Sequence, residues 1–329
     1  MRRAIAFAAL FGALGVAATL WLLGEDISSL GRLPLSAIAI GVGLLALNYA
    51  AATLRLKILV HMGAHDLSFA ACLRAYALGL FTSAITPGSA GQAPAVVLSF
   101  TRDGMPASRA WSVNVYIWVL DLAFLAYSVP ASLLLVGRNV SVLRVVRPEI
   151  FAVVVAACTA ALIWVLLFRL HWLTSLLKAT FRLRWLRRWQ PSVAEFSARL
   201  EAAAGDLRGG SLAVRATLHG LTAVVYLSTL LTFWVMVDAV NPGARLLPTM
   251  ATAQIPTVLA AFFPTPGGAG ILEIFTASLM RAGSARDVAA AILGWRLITF
   301  YSRLIIGPAL GAARVGLRRT HDAPDPSRV

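Results

Sequence analysis

Two copies of a Pro-Gly pattern stand inside apolar stretches of this 329-residue chain: Thr-Pro-Gly-Ser-Ala-Gly at 86–91 and Thr-Pro-Gly-Gly-Ala-Gly at 265–270. Proline and glycine disfavour a helix interior by about 3 and about 1 kcal/mol relative to alanine. A helix that restarts after such a break presents free N–H groups and a partial positive charge, a combination that binds anions. The patterns therefore predict an anion site built from the following residues: Thr86, Gly88, Ser89, Thr265, Gly267 and Gly268. The alternative is that these glycines only allow close helix packing.

Three charged residues lie within apolar stretches and are further candidates for binding. Glu273 follows the second pattern, Arg296 lies inside the last apolar stretch, and Asp121 is at the middle of 109–136. Each charge costs about 2.5–3.5 kcal/mol at the centre of a membrane, so each needs a partner or an aqueous cavity. Glu273 and Arg296 either form a structural ion pair, or Arg296 holds a phosphate that Glu273 positions. Asp121 is either a cation or proton partner or a satisfied core contact.

Other candidate sites are weaker. Arg55, Lys57 and Arg74 are predicted to anchor helix ends at the membrane boundary, and the alternative is that they gather anionic lipid headgroups. His61 and His65 are one helical turn apart, but no third ligand accompanies them, so we expect no metal site. The sequence contains no nucleotide-binding or hydrolase motif. We therefore expect neither a cofactor nor an enzyme.

The composition defines the class of protein. Hydrophobic residues make up 59% of the chain and charged residues 13%, with a mean hydropathy of +0.79. Soluble domains carry about 25% charged residues, so the chain is expected to be a polytopic α-helical membrane protein. The net charge of +15 lies mainly in short segments between apolar stretches. This pattern fits the positive-inside rule and anionic lipid better than nucleic acid.

The distribution of basic residues predicts the topology. The apolar stretches are 4–23, 34–54, 70–100, 109–136, 149–168, 211–238, 248–280 and 287–315. Eight full spans would place the basic tract 169–208 outside the cell, against the positive-inside rule. Six full spans plus two re-entrant helical hairpins, at 70–100 and 248–280, place this tract and both termini on the cytoplasmic side. Three full spans separate the hairpins, so they enter from opposite sides and form an inverted repeat whose tips meet near the midplane.

One transmembrane domain is predicted over 1–315, followed by a short polar cytoplasmic tail at 316–329. Within the domain, 169–210 is a cytoplasmic basic amphipathic segment whose second half forms a helix. Its charge either sets the topology or recruits anionic lipid as part of the function.

Several segments resemble one membrane-protein family. The segment 263–273 resembles the PTPGGxGxxE signature of the lysylphosphatidylglycerol synthase transmembrane-region family, also called flippase-like or UPF0104 proteins. The segment 295–301 is similar to its RxxTYY element, 54–57 to its LRW element, and 86–91 to its PGxxGE element. The family residues that match here are Gly267, Gly268, Glu273, Arg296 and Asp121. The chain departs from the family pattern at Gln92, Ala95 and Leu272.

The resemblance implies a lipid translocator in the cytoplasmic membrane, acting on a phosphate-bearing phospholipid headgroup. The soluble aminoacyl-transferase domain of bifunctional members is not expected in a chain of this length. Two alternatives remain at this point. In the first alternative the chain is an ion- or proton-coupled transporter of a small anion. In the second it is a non-transporting partner of a lipid-modifying enzyme.

Overall fold

The computed structural model describes residues 24–136, 148–168, 190–261, 263, 265, 267–280 and 284–321, with isolated positions at 10–21 and 175–180. All regular secondary structure in this part of the chain is helical. The helices are α1 Leu35–Met62, α2 Phe69–Ile85, α3 Gln92–Arg102, α4 Ala107–Val136, α5 Pro148–Phe168, α6 Gln190–Gly209, α7 Leu212–Val240, α8 Leu246–Ala260, α9 Ile271–Leu279, α10 Ala285–Arg296 and α11 Ser302–His321. A 3₁₀ turn precedes α1 at Ile27–Arg32, and a π-helical segment, Leu297–Tyr301, joins α10 to α11.

Four helical segments in the described part are long and apolar enough to cross a membrane: Leu35–Met62, Ala107–Val136, Leu212–Val240 and Ala285–Gly311. They coincide with four of the six predicted full spans. The fifth coincides with α5, whereas the first, at 4–23, lies mostly outside the described residues. Helix α1 runs eight residues past the predicted end at 54, because no glycine or proline lies between that position and Gly63.

Two pairs of shorter helices flank the Pro-Gly patterns. Helices α2 and α3 are joined by a first turn at 86–91, and α8 and α9 by a second turn at 261–270. At 1.5 Å per residue these helices are about 25, 16, 22 and 14 Å long, below the ~30 Å hydrocarbon thickness. The predicted interruption of both apolar stretches is confirmed. Re-entrant placement and the inverted repeat stay predictions.

The last helical segment contacts both helix pairs. A Cβ atom placed on Gly307 would lie 2.4 Å from the Cβ atom of Phe81 and 2.8 Å from the carbonyl oxygen of Ala77, so only glycine fits against α2. Towards its other end, Phe300 packs directly against Gly267 of the second turn. Small residues allow membrane helices to approach this closely. The segment therefore contacts α2 of the first helix pair and the turn of the second.

The helix predicted for the second half of the basic segment 169–210 is present as α6. It packs on α4, where the rings of Trp111 and Phe196 meet edge to face at 5.9 Å. The first half of the basic tract, at 169–189, lies almost entirely outside the described residues. The cytoplasmic position of the segment stays a prediction.

Candidate functional site

The second turn is held by a buried ion pair. The Arg296 Nε atom lies 2.7 Å from Oε1 of Glu273, and the two side chains are only 7% and 3% exposed. Both Arg296 Nη groups donate to the carbonyl oxygen of Gly267, at 3.4 and 3.3 Å. The guanidinium also lies 4.2 Å from the ring centroid of Phe300. The two charged residues that the sequence suggested are thus brought together, and Arg296 ties α10 to both the turn and α9.

Three buried oxygen atoms around this turn have no hydrogen-bond partner within the described residues: Thr265 Oγ1, Glu273 Oε2 and Thr276 Oγ1. Buried polar atoms in folded proteins are nearly always hydrogen-bonded, to protein or to water. The second turn therefore keeps hydrogen-bonding capacity for a polar ligand. Thr276 was not singled out from the sequence, although it lies three residues after Glu273 on α9 and therefore on the same side of the helix.

The first turn uses its polar groups internally. The Thr86 hydroxyl accepts from the Gly91 N–H at 2.9 Å, and the Gln92 N–H donates to the Ser89 carbonyl at 3.1 Å. Ser83 donates its hydroxyl to the Ser89 hydroxyl at 2.8 Å. The expectation of free N–H groups at the start of α3 is wrong at Gly91 and Gln92, because the turn supplies its own acceptors. Anion binding by Thr86 and Ser89 stays a prediction.

The two turns approach each other. A Cβ atom placed on Gly88 would lie 3.8 Å from the carbonyl oxygen of Ala261, the first residue after α8. Gly88 and Ser89 both have a positive φ, of 56° and 59°, which directs the chain sharply out of α2. Gly88 of the first turn is therefore close in space to Ala261 at the start of the second turn, although they are 173 positions apart in the sequence.

A second ion pair lies between the long helices. The Arg55 Nη1 atom donates to Asp121 Oδ1 at 2.7 Å and to Thr222 Oγ1 at 3.0 Å, which connects α1, α4 and α7. The Arg55 side chain is 5% exposed and that of Asp121 is 25% exposed. The prediction of Arg55 as a boundary anchor is wrong, because α1 continues past it and buries the guanidinium. Asp121 makes the core contact that was one of its two interpretations.

We expect Asp121→Asn to lower the free energy of unfolding by about 2–4 kcal/mol, because it leaves the Arg55 charge buried without a counter-charge. The matched control is Asp66→Asn, which removes an ion pair with Lys57 at 3.4 Å whose carboxylate is 83% exposed. That change is expected to cost no more than about 1 kcal/mol. Denaturant unfolding of both purified variants in detergent measures the difference. Equal losses of stability would contradict the role of Asp121.

Comparison with known proteins gives the same family that the motifs resemble. The model of the family described as the lysylphosphatidylglycerol synthase TM region matches residues 4–307. The chain belongs to this family. A UPF0104 membrane protein of Archaeoglobus fulgidus is 26% identical over 270 residues, which cover 77% of this chain and 79% of the relative. The resemblance drawn from the motifs is confirmed, and the chain is a multi-pass membrane protein.

This member of the lysylphosphatidylglycerol synthase TM family carries a further cation that the sequence analysis did not single out. Arg303 lies on α11 and is half-buried, and no hydrogen bond or ion pair joins it to another described residue. It faces a pocket that contains Asn48, Ser228 and Thr299. The sequence did contain a signal for this residue. Arg303 lies seven residues after Arg296, and a second arginine in the same apolar stretch needs a counter-charge of its own.

The two histidines of the sequence analysis lie at the end of α1, with His61 in its last turn and His65 just after it. No group of three potential metal ligands occurs among the described residues. His65 Nδ1 lies 3.3 Å from the guanidinium of Arg109, and a neighbouring cation opposes metal binding.

Proposed function

We propose that this protein moves a phosphate-bearing lipid headgroup between the leaflets of the cytoplasmic membrane, past the two Pro-Gly turns. The observation that carries the proposal is the close approach of the turns at Gly88 and Ala261. Two interrupted helices that meet inside a membrane protein are the arrangement in which transporters build a substrate site. The family of the chain, which is named for a lipid synthase, supports a lipid substrate.

In this proposal the helix pairs α2–α3 and α8–α9 are re-entrant hairpins that enter from opposite sides. None of the four helices is long enough to cross the ~30 Å hydrocarbon layer without tilt or displacement. The headgroup passes between the two turns while the acyl chains stay in the bilayer. Relative movement of the two halves exposes the turns first to one side and then to the other.

The second turn supplies the polar contacts for the headgroup. Thr265 and Thr276 have buried hydroxyl groups without partners among the described residues. The backbone of Gly268 is buried and its N–H donates to the Thr265 carbonyl oxygen at 3.2 Å, so Gly268 contributes only by shaping the turn. Arg296 exchanges part of its contact with Glu273 for the phosphate as the headgroup arrives. The first turn contributes Thr86, Gly88 and Ser89, of which Gly88 and Ser89 are exposed.

The proposal is tested in proteoliposomes with phosphatidylglycerol that carries a fluorophore on one acyl chain, so that its headgroup is unmodified. Dithionite quenches the fluorophore in the outer leaflet only and therefore reports transfer. We expect faster transfer than in protein-free vesicles. Flux of radiolabelled phosphate without lipid transfer would replace the proposal with a small-anion transporter. If neither lipid transfer nor phosphate flux is observed and a lipid-modifying enzyme co-purifies with the protein, the proposal would be replaced by the role of a non-transporting partner of that enzyme.

A further inference from the structure

We propose that residues 25–33, called the strap below, form a gate for the second helix pair, α8–α9. The strap lies against the start of α10, on the face of the protein where α9 ends and α10 begins. The gate opens when the charged contacts between the strap and α10 break, and water then reaches α9 from this face. The inference deepens the proposed function and rests on it only for the identity of what passes the gate.

Two ion pairs join the strap to the first turn of α10. The Arg32 Nη1 atom lies 2.7 Å from Oδ1 of Asp287, and the Arg286 Nε atom lies 4.0 Å from Oε2 of Glu25. The strap supplies the cation of the first pair and the anion of the second. A shift of the strap along α10 would move Arg32 towards Arg286, so the crossed charges favour a single closed position.

The strap is ordered by its own hydrogen bonds. The Asp26 Oδ1 atom accepts from the Ser28 N–H at 2.8 Å and from the Ser28 hydroxyl. The Asp26 carbonyl oxygen accepts from the Ser29 hydroxyl at 2.9 Å. The Ser28 hydroxyl oxygen also accepts from Nη2 of Arg286 at 2.9 Å, which adds a third polar contact with α10. Because the bonds of Asp26 close a 3₁₀ turn, we expect the strap to move as one unit.

Leu33 is the apolar anchor of the strap. It is buried, and a Cβ atom placed on Gly294 of α10 would lie only 2.3 Å from its Cδ1 atom. Gly294 is two residues before Arg296, the residue that holds the second turn. Leu33 also belongs to one buried apolar cluster with Met250 of α8 and Leu272 of α9. The strap therefore packs where the second helix pair meets α10.

The charged contacts of the strap break more easily than the other ion pair of α10. The Arg32 and Arg286 side chains are 48% and 45% exposed. Exposed ion pairs contribute little to stability, because water solvates the separated charges. The pair of Arg296 with Glu273 is buried, and its separation would leave uncompensated charges between helices. When α10 loosens, its contacts with the strap are therefore the first to separate.

The first helix pair is closed in a different way. Arg74 on α2 lies 3.8 Å from Asp103, the residue after α3, so an ion pair joins the two ends of α2–α3 that lie away from the first turn. Helix α8 contains no charged residue, and no such ion pair can join it to α9. The strap, which lies outside the second pair in the sequence, takes this place.

The two closures lie at opposite ends of α1. The strap leads directly into the start of α1, whereas Arg109, six residues after Asp103, donates to the carbonyl oxygen of Gly63 at its end. Helix α1 has 28 residues and is about 42 Å long at 1.5 Å per residue. One closure therefore lies on each face, which is the arrangement required by a transporter that opens to one side at a time.

The test measures access of water to a reporter cysteine and does not depend on lipid transfer. The parent protein carries Thr276→Cys in the last turn of α9, where the threonine is fully buried, and Cys158→Ala, which removes the exposed native cysteine. The other native cysteine, Cys72, is fully buried on α2 and serves as an internal reference. Both cysteines are labelled in lipid nanodiscs with a charged maleimide, and the products are quantified by peptide mass spectrometry.

Two variants open the gate by independent routes. Arg32→Glu combined with Arg286→Glu turns both ion pairs of the strap into contacts between like charges. Leu33→Ala leaves the charges in place and removes the apolar anchor. The matched control is Arg245→Glu, which makes the same change of charge at an exposed arginine at the start of α8.

We expect the Thr276→Cys reporter to be labelled about tenfold faster in both gate variants, because the open population rises. Labelling of Cys72 should stay unchanged, and Arg245→Glu should behave like the parent. The Debye length falls from about 10 Å at 0.1 M salt to about 3 Å at 1 M. Added salt should therefore accelerate labelling in the parent, where it screens attraction, and slow it in the charge-reversed variant, where it screens repulsion.

Equal labelling of the reporter in the charge-reversed variant and the parent would overturn the inference. Faster labelling of both the reporter and Cys72 would also overturn it, because it would indicate a general loss of structure. A parent protein that shows the expected labelling and salt response but transfers no lipid would refute the proposed function and leave the gate intact.

Discussion

Gly267→Leu is expected to abolish phospholipid transfer in proteoliposomes and to lower the free energy of unfolding by about 3 kcal/mol. Gly267 has a φ of 57°, in the left-handed region that strains any other residue. A Cβ atom there would lie only 2.0 Å from Cε2 of Phe300. Phe300 is buried and its ring lies beneath the guanidinium of Arg296, so it has no room to move aside. A side chain at this position therefore displaces the turn that the proposal places in the lipid path.

The matched control for this prediction is Gly270→Ala. Gly270 has a φ of 82°, but a Cβ atom there would meet nothing within 4 Å. With a ψ of −54° this variant carries backbone strain without the collision, at a cost of about 1–3 kcal/mol, and should retain transfer. Gly267→Ala provides an intermediate variant if the leucine variant is too unstable to reconstitute. Equal transfer by Gly267→Leu and wild type, at equal protein content, would show that the second turn is not in the lipid path.

The local patterns predicted the interruption of the helices, because Pro-Gly acts on its own backbone. The contact partners were harder to predict because they are far apart in sequence. Arg55 and Asp121 are 66 positions apart, and no spacing rule joins residues on different helices. Glu273 and Arg296 were the exception, since the high cost of two opposite charges within neighbouring apolar stretches made a pair one of the two expected outcomes.

The first turn shows why predicted donors and acceptors can be consumed locally. A threonine beside a helix end bonds readily to nearby backbone groups. Thr86 does so with the N–H of Gly91, which the sequence pattern alone had left free for a ligand. At the second turn the corresponding residue, Thr265, has a buried hydroxyl without a partner among the described residues. The two copies of the pattern are therefore alike in sequence but differ in what they offer a ligand.

Arg303 was missed for a related reason. The helical repeat places it on the same face as Arg296, where a second arginine would be taken as part of one cluster. The π segment at Leu297–Tyr301 changes that register, and no residue type in the segment specifies such a bulge. Only the three-dimensional structure shows that Arg296 has a carboxylate partner and that Arg303 has none among the described residues.

The ion pair at the second turn gives the other large expected effect. Glu273→Gln leaves the Arg296 charge buried beside Gly267 with no counter-charge, so we expect a loss of about 3–5 kcal/mol in the free energy of unfolding. The double variant Glu273→Gln with Arg296→Gln removes both charges, and its stability should return to within about 1–2 kcal/mol of wild type. Denaturant unfolding of the single and double variants measures this recovery.

Transfer should not recover with stability. If Arg296 exchanges Glu273 for the headgroup phosphate, the double variant folds normally but has no cation at the second turn, and lipid transfer stays at the level of protein-free vesicles. A stable double variant with wild-type transfer would contradict this and would limit the pair to holding α9, α10 and the turn together. The comparison separates the two interpretations because the buried pair contributes to folding through the balance of two charges, whereas a phosphate requires the arginine alone.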